Sequence, residues 1–166
     1  KPNTISTYMR MLRCIYNRGV DARQAPYVHG LFRDVFTGVD TRQKKALPLS
    51  ELHTLLNKDP QTETLRHTQA IANLLFQFGG MPFVDLAYLR KSDLHGNVIT
   101  YRRRKTGRPL SVTLTNEAMR IVRMYMNQDV HSPYLFSFLR SPEGTMEAYR
   151  EYQLALRSFN RQLLIL

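Results

Sequence analysis

A single pair of strand-like runs is set in a chain that otherwise patterns as helix. Residues 98–103 and 110–114 are rich in β-branched and aromatic side chains, and Lys105-Thr-Gly-Arg-Pro109 between them carries turn residues. Together they predict one hairpin. Two strands alone are marginal in water, so the hairpin must lie on helices. The expected fold is therefore mainly α with a small antiparallel β-sheet. Arg102, Arg103, Arg104 and Lys105 are consecutive. Four adjacent cations do not enter a core, which places them at an exposed tip.

The helices follow from apolar spacing. Ile5, Tyr8, Met9, Leu12 and Ile15 or Tyr16 form one stripe over residues 4–18, with Asn3 or Thr4 as cap and Gly19 as stop. Cys14 falls at a core spacing and is expected to be buried and inert. Residues 26–39 read as irregular, with a helical turn near 29–35. Ser50 is placed as the cap of a short helix over 51–57. A longer helix, 63–79, turns Leu65, Thr68, Ile71, Ala72, Leu75, Phe76 and Phe78 inward and stops at Gly79-Gly80. Pro82 opens a short helix over 82–88 that buries Phe83, Leu86 and Leu89. Residues 93–97 form a turn, Thr115 to Glu117 cap a helix ending near 127, and residues 132–136 cross in extended form with buried aromatics. Residues 142–166 form the last helix, with Tyr149 and Tyr152 as packing residues.

Charge is unevenly spread. The net charge is +11. Residues 1–45 hold 9 Lys/Arg against 3 Asp/Glu, and residues 90–108 hold 7 against 1, with a near-neutral stretch between. Two concentrated basic blocks point to a polyanion, and nucleic acid is the default partner. No run of 18 apolar residues or signal-peptide pattern is present. A single cysteine excludes an internal disulfide and fits a reducing cytoplasm. His and Cys lack metal-ligand spacing, so no metal is expected. The domain boundary is placed at the basic connector Thr41-Arg-Gln-Lys-Lys45, with residues 1–42 before it and 46–166 after. The start at Lys1-Pro2 and the apolar run at 159–166 are expected of a piece of a longer protein.

The hairpin tip carries the chemistry. Strand alternation puts Arg103 and Lys105 on one side and Arg102 and Arg104 on the other. Arginine grips two non-bridging oxygens of a phosphate, and lysine can protonate a departing oxygen. The plain alternative is a solvated tip that binds phosphate non-specifically. Asp85 either caps or pairs with a nearby base, and Asp93 reads as a turn residue. Arg10, Arg13 and Arg18 on the first helix, Lys44 and Lys45 in the connector, and Arg90, Lys91, Arg102, Arg104 and Arg108 around the hairpin are the candidate DNA contacts. None suggests base readout, because phosphate contacts position a protein without reading sequence.

The order of a helix, Gly80-Met-Pro-Phe-Val-Asp-Leu-Ala-Tyr-Leu-Arg-Lys-Ser-Asp-Leu94, a turn, then Val98-Ile-Thr-Tyr-Arg-Arg-Arg-Lys-Thr-Gly107 resembles the tyrosine recombinase (phage-integrase) family. The likeness is greatest to the branch carried by conjugative transposons. Residues 1–42 resemble the end of its helical core-binding domain. Residues 46–166 resemble the first two-thirds of its catalytic domain. The resemblance implies site-specific DNA breakage and rejoining through a 3′-phosphotyrosyl intermediate. It also implies double-stranded DNA as substrate and a homo-oligomer on DNA, with no cofactor, membrane or small-molecule substrate. Lys105 matches the family's hairpin lysine, and Asp85 the acidic member of its Gly-x-Arg-x-x-Glu motif. Pro82 stands where the motif has arginine, and Arg103 is the candidate to replace it. No His here has an arginine three residues on, so the His-x-x-Arg pair and the tyrosine nucleophile are expected beyond Leu166, and this chain alone is expected to be inactive. The competing expectation is a catalytically inactive DNA-binding protein, such as a decayed integrase or an accessory factor. A third is a small helical interaction module with incidental charge.

Overall fold

A computed structural model describes residues 2–38 and 48–166. The chain divides into two compact units, Lys1–Ala46 and Leu47–Leu166. The connector expected at 41–45, with Lys44 and Lys45, lies outside the described residues.

In the first unit, helix α1 spans Pro2–Asp21. It runs through Gly19, which does not act as the stop. The methyl group of Ala25 lies close to Gly19, 3.6 Å from where a Cβ would stand, so the residue suits close approach of the returning chain. That return wraps Tyr16, whose hydroxyl donates to the Pro26 carbonyl at 2.9 Å and accepts from the Val28 amide at 2.6 Å. Tyr16 also meets the Phe32 ring at 5.8 Å. Residues 29–34 form turns rather than helix. The predicted stripe is not a core here. Ile5, Tyr8, Leu12 and Ile15 are all more than half exposed, and Cys14 is exposed rather than buried. One helix and a short return offer too little surface to cover a helix face. The fully buried side chain of α1 is Ser6, whose hydroxyl donates to the Gly38 carbonyl at 2.5 Å.

The second unit packs helices around a small sheet. Helix α2 spans Leu49–Asn57 and starts after Pro48, so Ser50 lies inside it and does not cap it. Helix α3 spans Glu63–Gln77, and the Thr62 side chain accepts from the Leu65 amide as its cap. The helix ends at Phe78, and Gly79 and Gly80 follow with φ of 69° and 76°, a left-handed pair that suits glycine. Ile71, Leu74 and Phe78 are buried, but Phe76 is half exposed. The inward face runs through 71, 74 and 78, and Phe76 sits some 200° around the helix from Leu74 at the usual rotation of ~100° per residue.

Helix α4 spans Phe83–Ala87, with Pro82 at its cap position. A 3-10 turn, Lys91–Asp93, leads into strand β1, Leu94–His95. The expected turn at 93–97 is thus partly strand. Gly96, at φ 61°, supplies the tight two-residue link to β2, Val98–Arg102. Strand β3 is Pro109–Thr113. The sheet is antiparallel in the order β1-β2-β3, with Ile99 opposite Val112 and Arg102 opposite Pro109. Ile99 and Tyr101 face the core, and Thr100 and Arg102 face solvent.

Helix α5 spans Asn116–Tyr125, capped by Thr115 through the Ala118 amide. Residues 134–136 cross in extended form and are buried, bridging to Arg90 through Tyr134 and to Met126 through Phe136. Helix α6 spans Met146–Leu163, later than expected, because Thr145 caps it through the Ala148 amide. Helix α3 packs against α2, α5 and α6, and α4 packs against α6. Phe83 stacks on Phe159 at 4.9 Å, and Tyr152 sits 6.0 Å from Tyr88. Tyr149, also expected to pack, is half exposed, since the inward face follows 148, 152, 155 and 159.

Leu74→Ala should cost about 2–5 kcal/mol, the range for emptying a closed core site. Phe76→Ala should stay within about 0.5 kcal/mol, as a surface change does. Urea unfolding of the two variants checks this, and equal losses would contradict the inward face assigned to α3.

Candidate nucleic-acid interface

The basic hairpin is held by one buried acid. Asp85 on α4 is 3% exposed, and its Oδ1 accepts the Arg104 backbone amide at 3.0 Å. Its Oδ2 is buried without a hydrogen-bond partner among the described residues. Asp85 therefore fixes the hairpin to α4 across 19 residues of sequence. The turn itself closes on the Arg103 amide, which donates to the Arg108 carbonyl at 2.9 Å, and the Gly107 amide, which donates to the Arg103 carbonyl at 2.7 Å. Gly107 adopts a φ of 67°.

Strand β2 stops at Arg102, so residues 103–107 are turn and strand alternation does not set their sides. The expected pairing of Arg103 with Lys105, opposite Arg102 and Arg104, loses its basis. What converges instead is Arg104 with Arg90. The Arg104 guanidinium lies 3.8 Å over the Tyr88 ring. Its Nη1 bonds Glu143 Oε1, and Arg90 Nη2 bonds Glu143 Oε2 at 2.6 Å. These groups, with Asp85, Asp93, Tyr101 and Arg102, line a cavity of about 280 Å³. Arg103 and Lys105 do not line it. Both are exposed on the turn, as is Arg108.

The remaining candidates divide by what holds them. Arg102 is exposed and donates to the Gly107 carbonyl at 3.2 Å. Lys91 is engaged inward, its Nζ donating to the Asp129 carbonyl at 2.5 Å and its amide to the Pro133 carbonyl at 2.8 Å. It therefore braces a loop and has less freedom to reach a phosphate. Asp93 accepts the Arg90 amide at 2.8 Å, the turn role expected of it. Arg10, Arg13 and Arg18 are exposed on α1 in the other unit.

The sequence reading missed Glu143 and Tyr88. Glu143 lies 39 residues from Arg104 and 53 from Arg90, beyond any local pattern. Arg104 first, then Arg90, holds its carboxyl below the ordinary value of 4.5. Burial pushes the Tyr101 hydroxyl up, with the nearby Asp85 carboxyl adding to the shift. Among the described residues no helix is long and apolar enough to cross a membrane. In comparisons with known proteins, no family model, curated protein or solved structure matches the chain.

Asp85→Ala removes the acceptor of a partly buried amide and should destabilise by about 1–3 kcal/mol. The Arg104 amide should then lose hydrogen-exchange protection while core amides such as Leu74 exchange only in step with global stability. Unchanged protection at Arg104 would contradict the anchoring role. Because Glu143 is depressed in the fold, its ion pair stabilises above the ordinary carboxylate range and is lost as pH falls through the folded value. An NMR titration should place its midpoint below 4.5, with Arg104→Ala raising it more than Arg90→Ala.

Proposed function

We propose that the chain is a piece of a DNA integrase of the tyrosine-recombinase type, acting on double-stranded DNA. The observation that carries this reading is the exposed cationic turn, Arg102 to Arg108, on a hairpin anchored to α4 by the buried Asp85. A fixed tip loses little conformational freedom on meeting a phosphate backbone, unlike a loose basic loop. The order of motifs around it supports the enzyme over a general polyanion binder. In the proposed reaction a tyrosine oxygen attacks a DNA phosphorus and the bond to the 5′ oxygen breaks. Lys105 gives its proton to that leaving oxygen, and arginines hold the charge on the non-bridging oxygens. Arg103 enters this scheme from its place in the sequence, next to the lysine's turn. The energy of the broken bond is kept in the phosphotyrosyl link, so rejoining needs no added cofactor. The protein would work as a homo-oligomer on DNA.

A DNA-binding protein without catalysis is the second reading. Pro82, at the cap of α4, favours it, since it occupies the motif position where the family has arginine.

Duplex binding should be non-specific and fall with salt. If about four to six phosphates are neutralised, log K against log salt should have a slope near −4 to −5. A slope near zero would remove nucleic acid as the partner. In the complete enzyme, Lys105→Ala should slow cleavage by roughly 10²–10⁴, the contribution of a general acid. A 5′-phosphorothiolate substrate, whose sulfur leaves without a proton, should restore the Lys105 variant and leave Arg103→Ala impaired. Cleavage by the enzyme lacking Lys105 at the parent rate would select the second role for the turn, binding alone.

A further inference from the structure

Arg90 follows α4 and Arg104 opens the hairpin turn, yet both guanidiniums close on the single carboxylate of Glu143. A guanidinium carries five N–H donors in a fixed fork, and two of them side by side present more donors than one carboxylate can accept. A phosphodiester presents two charged non-bridging oxygens, as a carboxylate does, and their tetrahedral setting lets them meet two guanidinium forks that converge from different elements. The Arg104 plane is already oriented by the Tyr88 ring beneath it. Arg90 is oriented from its backbone, where its amide is held by Asp93.

Glu143 itself is not on a packed element. It lies in the link between Ser141, whose amide and hydroxyl are held by Glu151, and Thr145, the cap of α6. Gly144 beside it takes a φ of 89°. The Arg90, Arg104 and Glu143 side chains are 48%, 35% and 33% exposed, so an anion from solvent can reach them. We propose that Arg90 and Arg104 form a phosphate-binding site in which Glu143 is the resident internal anion, displaced when a phosphodiester of duplex DNA engages the hairpin. The identity of the phosphate source rests on the DNA-binding reading above; the site itself does not. Glu143 then acts as a brake on weak, non-specific association, since every duplex contact here has to compete with it.

The test is duplex binding by the chain and its Glu143→Gln variant over a salt series. Glu143→Gln should bind a short duplex of arbitrary sequence roughly tenfold more tightly, the scale of one charge-assisted contact. Its salt slope should steepen by about 1–2, for the one or two phosphates newly neutralised. Glu147→Gln, an equal charge change at an exposed residue in the first turn of α6 that takes no part in the Arg90 and Arg104 ion pairs, should leave affinity within about twofold. Adding Arg90→Ala and Arg104→Ala to Glu143→Gln should abolish the gain. Unchanged affinity in Glu143→Gln, or an equal gain in Glu147→Gln, would overturn the site while leaving the DNA reading intact. If neither parent nor variant binds duplex, the DNA reading falls, and inorganic phosphate decides the site. A saturable shift of the Arg104 side-chain NMR resonance in Glu143→Gln, lost in the triple variant, would then assign a free phosphate as ligand. No shift would overturn the site.

Discussion

The Asp85 side chain accepts the Arg104 amide from within the core, and the whole basic hairpin is placed relative to that one bond. A hairpin of two short strands has little stability of its own. Here it is held at the sheet by β1, through the core by Ile99 and Tyr101, and at its far end by Asp85. Because Asp85 sits on α4 between Phe83 and Leu86, both buried, its position is set by packing on α6. The geometry of the exposed cations thus depends on apolar contacts made on the other side of α4.

The ion pairs around the cavity have a different role. Arg90, Arg104 and Glu143 are each a third to a half exposed, and pairs of that kind contribute about 0–1 kcal/mol. They orient guanidiniums more than they hold the fold. Stability comes from the closed cluster of Ile71, Leu74, Leu86, Ile99, Val122 and Leu135. This division lets polar groups at the cavity exchange partners without disturbing the core, which is what a phosphate site needs. It also separates Lys105 from the cavity. The lysine stands on the turn outside it, while Arg90 and Arg104 share one carboxylate within it.

Much of the fold was legible because its signals are local. The glycine pair at 79–80, the threonine cap at 115 and the proline before α4 each act within one turn of chain, so residue type alone marks them, whereas the threonine caps at 62 and 145 went unread. Helix α3 starts at Glu63 as expected, but α6 starts at Met146 rather than 142, because apolar periodicity locates a helix without locating its ends. The stripe on α1 failed for a different reason. Periodicity shows that a face is apolar, while burial needs a surface to cover it, and the described residues of the first unit supply too little.

A helical unit carrying one antiparallel hairpin with a cluster of cations at its tip was already written in residue order, since 3.6- and 2-residue periods and turn chemistry act over short range. So was the place of Asp85 on a short helix just before that hairpin. Which cations meet depends on the packing of distant segments. Strand β2 ends one residue before Arg103, so the sides of the turn residues come from its closing hydrogen bonds and from Asp85 rather than from alternation. Arg90 and Arg104 meet at Glu143 because α4, the hairpin and the start of α6 converge there, a juxtaposition of groups up to 53 residues apart that no local rule encodes.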